Sequence, residues 1–104
     1  MSLQVTESNW EEILKGNERV VIEFGAPGCG PCRKNAELIE TVAGEYEGKV
    51  TFCITDMSES PDVAMECGVR NAATILYFKN GEKVAKTVGA VDKATLKKNI
   101  DALL

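Results

Sequence analysis

The chain of 104 residues is 44% hydrophobic and 27% charged, a composition typical of a globular protein with one modest core. We therefore expect one domain over residues 1–104. The formal net charge is −4 and charges of both signs are interspersed, so the chain lacks the basic stripe of nucleic-acid-binding proteins and the polybasic patch of membrane-binding ones. Its first residues show no signal-peptide pattern and no run of membrane-spanning length, which predicts a cytoplasmic protein. We also expect a monomer.

The first half of the chain alternates strand and helix patterns. Residues 3–6 are predicted to form a short edge strand, and Ser8 has the capping-box spacing that begins a helix ending near Gly16. Residues 19–24 are apolar on both faces, as in a strand buried in the middle of a sheet. Apolar residues then recur at helical spacing over residues 31–46.

The second half begins with a predicted strand over residues 49–55 and a short helix over residues 60–67. Two further strands, residues 74–79 and 83–88, flank Asn80-Gly81, a strong hairpin signal. A last helix is predicted to be capped by Asp92 and to have an apolar face of Leu96, Ile100, Leu103 and Leu104. The order βαβαβαββα predicts an α/β fold, in which a mixed sheet is covered by helices on both faces.

Cys29 and Cys32 form a Cys-x-x-Cys pair between a predicted buried strand and a predicted helix. Cys29 is thereby placed at a helix N-terminus, where unpaired amides and the helix dipole should lower its pKa. Pro31 suits the first helical turn, where its missing N–H would have no partner. Cys32 lies one turn further in and should be less exposed. The pattern favours Cys29 as the nucleophile and Cys32 as the thiol that resolves a mixed disulfide.

The rival interpretation of the cysteines is a zinc site, which needs two such pairs or partnering histidines. The sequence contains no histidine, and its other cysteines, at positions 53 and 67, are isolated from each other. A structural zinc site is therefore not favoured, whereas inert paired cysteines remain the structural alternative.

Glu23 is a carboxylate inside an otherwise apolar strand. If its side chain points into the core behind the cysteines, burial should raise its pKa and make it a candidate acid/base for Cys32. The alternative is a strand residue that faces solvent, and the strand pattern alone leaves both open.

Several segments, taken together, resemble thioredoxins in order and spacing: VVIEF, CGPCR, the strand end at Asp56, GVRNAATILYFKNGEKV and the late VGA. The resemblance covers essentially the whole chain and implies the thioredoxin fold, a central mixed sheet flanked by helices. It implies a thiol-disulfide oxidoreductase that reduces protein disulfides, is recharged by a thioredoxin reductase or another dithiol donor, and requires no organic cofactor. Glu23 falls where thioredoxins usually carry a buried aspartate that helps to move the proton of the second cysteine. The resemblance thus implies a catalytic role for Glu23 beside Cys29 and Cys32.

The resemblance also implies a substrate-binding surface around the cysteines, made of Gly28, Gly30, Pro31, Ala72, Ala73, Thr74 and Gly89. Thioredoxins usually have tryptophan where this chain has Gly28, and an aromatic residue where it has Gly25. These glycines should shrink the apolar area that holds a partner protein and loosen the backbone around Cys29.

The segment Ala72-Ala73-Thr74 also departs from the family, which usually has Ile-Pro-Thr with the proline cis. A cis bond before a residue other than proline costs about 3 kcal/mol. We therefore expect the Ala72–Ala73 bond to be trans and the loop to be rebuilt. In the family this backbone pairs with the substrate chain, and the proline ring is thought to keep metals off the thiols.

These observations lead to one main hypothesis and two alternatives. The main hypothesis is a protein-disulfide reductase that works by dithiol exchange through Cys29 and Cys32. One alternative is a protein that binds a metal or an iron-sulfur centre, with two protomers each supplying both cysteines. The other is a specialised redox carrier for a single client.

The remaining two cysteines are expected to be structural. Cys53 lies in a predicted buried strand and should behave as a small hydrophobe. Cys67 precedes Gly68 and a loop predicted to lie near the active site, so an intermolecular disulfide under oxidising conditions is the alternative to packing.

Overall fold

The computed structural model describes residues 2–104. The strands are β1 (Leu3–Gln4), β2 (Arg19–Gly25), β3 (Thr51–Asp56), β4 (Thr74–Lys79) and β5 (Glu82–Val88). The helices are α1 (Trp10–Gly16), α2 (Gly30–Ala43), α3 (Pro61–Glu66) and α4 (Lys93–Asp101), and a short 3₁₀ helix, Gly44–Tyr46, continues α2. The predicted element order and the α/β fold class are confirmed.

The strands form one mixed sheet in the order β1-β3-β2-β4-β5. Strands β1, β3 and β2 run parallel, whereas β4 is antiparallel to β2 and β5 is antiparallel to β4. Strand β2 is therefore the middle strand and is paired along both edges. None of the helices within residues 2–104 is both long and apolar enough to cross a lipid bilayer.

Each face of the sheet carries its own hydrophobic core. Val21 of β2 packs with α2 and α4 residues such as Ile39 and Leu96 on one face. Ile22 points the other way and packs with Val63 of α3, with Trp10 of α1 at the margin. Successive side chains of a strand point to opposite faces of the sheet, so Val21 and Ile22 are buried in different cores. This confirms the prediction of a strand covered on both faces.

Two predicted helix ends are wrong. Helix α1 begins at Trp10 with Asn9 at the N-cap, and not at a Ser8 capping box. Asn9 uses its side chain to accept from the Thr6 amide at 2.8 Å and to donate to the Gln4 carbonyl at 3.0 Å, so its bonds fix the turn before the helix. Leu104 does not join the apolar face of α4, because the helix ends at Asp101 and Leu104 is half exposed.

The hairpin between β4 and β5 turns at Asn80-Gly81, as predicted. Both residues have positive φ angles, 53° and 82°, which glycine and asparagine adopt most readily. The pairing shifts between Tyr77 and Phe78, since Tyr77 lies opposite Ala85 and Phe78 opposite Lys83. Val84 is the extra residue of this bulge and is exposed.

Asp92 caps α4 as predicted, and its removal should weaken the packing of this helix. The side chain accepts a hydrogen bond from the Thr95 amide at 2.7 Å, so Asp92→Ala should lower the free energy of unfolding by about 1 kcal/mol. Asp92→Asn is the matched control, because asparagine retains the accepting oxygen and should unfold close to wild type. Urea titration of the three proteins tests the cap, and equal midpoints for Asp92→Ala and wild type would contradict it.

Candidate active site

Cys29 and Cys32 are joined in a disulfide, with their Cα atoms 5.3 Å apart. Cys29 is the N-cap of α2, and its sulfur accepts from the Cys32 amide at 3.2 Å. Pro31 lies in the first turn of the helix, where no intrahelical partner for an N–H is needed. Cys29 is partly exposed and Cys32 is only 6% exposed. The predicted difference in access between the two sulfurs is therefore present.

Glu23 points into the interior and is 4% exposed. It lies on the same face of β2 as Val21, and it is paired with Ile75 of the neighbouring strand β4. Within residues 2–104, its Oε2 is a buried oxygen without a hydrogen-bond partner. Burial raises the pKa of the Glu23 carboxyl from 4.5 to about 7, because low-dielectric surroundings disfavour the charged form.

Gly25 separates the carboxyl from the cysteines. A Cβ atom on Gly25 would lie 3.4 Å from Cys32 Cβ and 3.5 Å from each carboxyl oxygen of Glu23. The carboxyl and the Cys32 side chain therefore flank the same small gap. This arrangement makes Glu23 a candidate proton acceptor for the Cys32 thiol of the reduced protein.

A cleft of about 380 Å³ opens beside the disulfide. It lies between the loop from Gly25 to Cys29 and the end of β3, and Glu23 and Cys32 form part of its lining. Gly28 is exposed and has a φ of 74°, which favours glycine over residues with a Cβ. The cleft gives solvent a route towards the buried carboxyl.

The Ala72–Ala73 peptide bond is cis, so the expectation of a trans bond is wrong. That expectation used the intrinsic preference of an isolated bond, whereas here the backbone is fixed on both sides. The Gly89 amide donates to the Ala73 carbonyl at 2.8 Å, and Thr74 Oγ1 donates to the Asn71 carbonyl at 2.6 Å. Ala73 is also buried, at 2% exposure.

Several of the site residues predicted from sequence lie at one end of the sheet, where β2 ends, β4 begins and β5 ends. Thr74 begins β4 opposite Phe24, next to Gly25, and is paired on its other side with Val88. Gly89 follows Val88 directly. The side chains of Ala73 and Thr74 are buried, whereas Gly28, Gly30, Pro31 and Ala72 are exposed and Gly89 is partly exposed.

Sequence reasoning missed Asn35. This residue is fully buried on α2, and its amide bonds to the backbone on either side of Ala90. The available signal was a polar side chain in the stripe formed by Cys32, Ile39 and Val42, which are all buried. An amide at such a position needs partners from another element.

The other two cysteines are unpaired. Cys53 is fully buried in the core, as predicted, and burial raises its pKa to about 12. Cys67 is partly buried at the margin of the same core, and burial is the main cause of its raised pKa. Both thiols are thus held in the unreactive neutral form at neutral pH.

Within residues 2–104, no group of three or more histidine, cysteine, aspartate or glutamate side chains is arranged to hold a metal ion.

Comparison with known proteins gives a consistent result. A family model described as thioredoxin matches residues 1–102. Thioredoxin M5, chloroplastic, of Oryza sativa subsp. japonica is 46% identical over 91% of this chain and 56% of its own. The chloroplastic M-type thioredoxin of Pisum sativum is 43% identical over 93% of this chain and 57% of its own. Thioredoxin 1 of Nostoc sp. is 40% identical over 94% of this chain and 92% of its own. The chain thus spans little more than half the length of the two plant relatives.

Glu23→Gln in the oxidised protein should remove a pH-dependent loss of stability. Because burial raises the folded-state pKa from 4.5 to about 7, folding favours the neutral carboxyl. The stabilising contribution of the neutral Glu23 carboxyl to folding is fully present below pH 4.5 and is lost as the pH rises through about 7. Over this window the free energy of unfolding of wild type should fall by about 3 kcal/mol relative to Glu23→Gln.

Urea unfolding below and above this window measures the effect. Glu37→Gln is the matched control, because Glu37 is an exposed carboxylate on α2 and its loss should leave the pH dependence of wild type intact. The same pH dependence in Glu23→Gln and wild type would show that this carboxyl does not titrate in the window.

Proposed function

Since the chain belongs to the thioredoxin family, we propose that it reduces protein disulfides by dithiol exchange through Cys29 and Cys32. The observation that carries this proposal is the Cys29–Cys32 disulfide at the N-terminus of α2, with a buried carboxyl close behind it. Both sulfurs and the carboxyl come from one chain, so the catalytic groups are complete in a single protomer.

The reaction begins from the reduced dithiol. The Cys29 thiolate attacks one sulfur of the client disulfide, and the other client sulfur leaves as a thiolate. Cys32 then attacks the Cys29 sulfur, which forms the intramolecular disulfide and releases the second client thiol. Two electrons pass from the two cysteines to the client, and the Cys29–Cys32 bond described above is the oxidised product.

Glu23 is proposed to accept the proton of Cys32 as this thiol becomes a nucleophile. A carboxyl with a pKa of about 7 can take up and release a proton near neutral pH, whereas an ordinary glutamate is ionised throughout that range. The cleft beside the disulfide lets the carboxyl return this proton to solvent.

The client is proposed to lie across the exposed backbone around Cys29. Gly28, Gly30 and Pro31 supply one side of this surface, and the segment from Ala72 to Thr74 with Gly89 supplies the other. Ala73 and Thr74 are buried, so they are proposed to contribute backbone atoms or to hold Ala72 in place. A thioredoxin reductase or another dithiol donor is proposed to return the pair to the dithiol form.

The compartment is proposed to be the cytoplasm, and the working form a monomer. Two unpaired cysteines, Cys53 and Cys67, suit a reducing compartment. The monomer is supported by a site that needs no residue from a second copy. Sedimentation of the reduced protein tests the state of association.

Substitution of either active-site cysteine should stop turnover at a different step. With insulin as client and a dithiol as donor, Cys29→Ser should lose catalysis because the attacking sulfur is gone. Cys32→Ser should instead accumulate a mixed disulfide with the client, because the resolving thiol is absent. Turbidity of reduced insulin and mass spectrometry of the trapped adduct measure the two outcomes.

Cys53→Ser is the matched control for these variants, since it also removes a thiol, at a core position distant in sequence from the reacting pair. It should retain the ability to form the Cys29–Cys32 disulfide. Insulin reduction by Cys29→Ser at the wild-type rate would contradict the proposed function.

A further inference from the structure

Asn35 is a polar residue on the core-facing side of the helix that carries the two active-site cysteines. It is 0% exposed, as is Ile39 one turn later, while Cys32 one turn earlier is 6% exposed. An apolar side chain at this position could pack against the core and would have no polar atoms that need hydrogen-bond partners. A buried amide is retained at no net cost only if its polar atoms are paired.

The partners of Asn35 lie in the connection between β5 and α4, of which we call residues 89–91 the Gly89 loop. Asn35 Nδ2 donates to the Gly89 carbonyl at 3.0 Å. The Val91 amide donates to Asn35 Oδ1 at 3.0 Å. The carbonyl and the amide fix which end of the side chain is which, because a flipped amide would place donor against donor and acceptor against acceptor.

The same loop is bonded to the segment that contains the cis bond. The Gly89 amide donates to the Ala73 carbonyl at 2.8 Å, while the Gly89 carbonyl accepts from Asn35. The peptide group before Gly89 is therefore bonded to Ala73, just before the start of β4. The peptide group after Gly89 is bonded to Asn35 of α2. Asn35 is the link that ties this arrangement to the helix of the cysteines.

The residues on either side of Gly89 face solvent. Val88 is 59% exposed, and Ala90 is exposed as well, although Val91 packs against the core. Ala90 of the Gly89 loop thus faces solvent, while the backbone on either side of it is hydrogen-bonded to Asn35. The two bonds to Asn35 connect this loop to the helix that carries the two cysteines.

We propose that Asn35 is a positioning residue for client recognition, because it holds the Gly89 loop in register with Cys29 and Cys32. This inference rests on the proposed function. It assigns to Asn35 no contact with the client and no part in sulfur chemistry. A protein client that spans the disulfide and the Gly89 loop needs this register, whereas a small disulfide that touches only the sulfur of Cys29 does not.

The test compares two substrates with each variant. Asn35→Leu keeps a side chain of similar size but leaves the Gly89 carbonyl and the Val91 amide unpaired. Its KM for insulin should rise roughly 10-fold, since displacement of a binding group by about 1 Å can cost up to 10²-fold. Its rate with hydroxyethyl disulfide should stay close to that of wild type, and amide exchange at Val91 should accelerate.

Ile39→Val is the matched control for a general loss of stability. It trims a fully buried side chain on the same helix but removes no hydrogen bond, so both substrates should be turned over as by wild type. If Asn35→Leu does not fold, Asn35→Ala serves in its place, and the same rise in KM for insulin is expected.

The outcomes separate the two proposals. An unchanged KM for insulin in a folded Asn35 variant, or equal losses with both substrates, would overturn the positioning role while leaving dithiol exchange intact. Wild-type protein that reduces neither insulin nor hydroxyethyl disulfide would overturn the proposed function, and with it this inference.

Discussion

The Glu23 carboxyl is buried because β2 is hydrogen-bonded along both edges and covered on both faces. A side chain in the middle of such a strand has no route to solvent except at the strand end, where the active-site loop begins. The position two residues before Gly25 places the carboxyl and the Cys32 side chain around the same small gap beside Gly25. One carboxyl oxygen has no hydrogen-bond partner within residues 2–104. This unfavourable burial raises the pKa to about 7, which is the physical basis for the proposal that Glu23 accepts a proton in the neutral range.

The topology then gathers the other parts of the site at the same end of the sheet. Parallel β2 and β3 end there, β4 begins there, and β5 ends there, so loops from separate parts of the chain surround one disulfide. Backbone hydrogen bonds between Ala73 and Gly89, and the two bonds made by Asn35, connect these loops to each other and to α2. The two cysteines lie at a helix end and Glu23 lies on the central strand, whereas most of the proposed client contacts lie on loops.

Most of the fold and the reacting pair could be predicted from sequence, because they depend on local patterns. Alternation of strand and helix, the Asn80-Gly81 turn and the Cys29-to-Cys32 spacing each have a short-range physical signature. The orientation of Glu23 and the role of Asn35 depend on contacts between segments far apart in the chain, which periodicity does not encode. The cis geometry at Ala72–Ala73 was predicted wrongly for the same reason, since bonds from Gly89 and Thr74 fix a backbone that local preference alone would leave trans.

The central claim is that Glu23 takes the proton of Cys32, and the pH dependence of the resolution step tests it most directly. A stopped-flow experiment starts from the mixed disulfide between Cys29 and a small thiol and follows release of that thiol by wild type, Glu23→Gln and the control Glu37→Gln. Wild type and Glu37→Gln should show an inflection near pH 7 that Glu23→Gln lacks, and Glu23→Gln should be roughly 10²-fold slower at neutral pH. Identical profiles for Glu23→Gln and wild type would contradict the account.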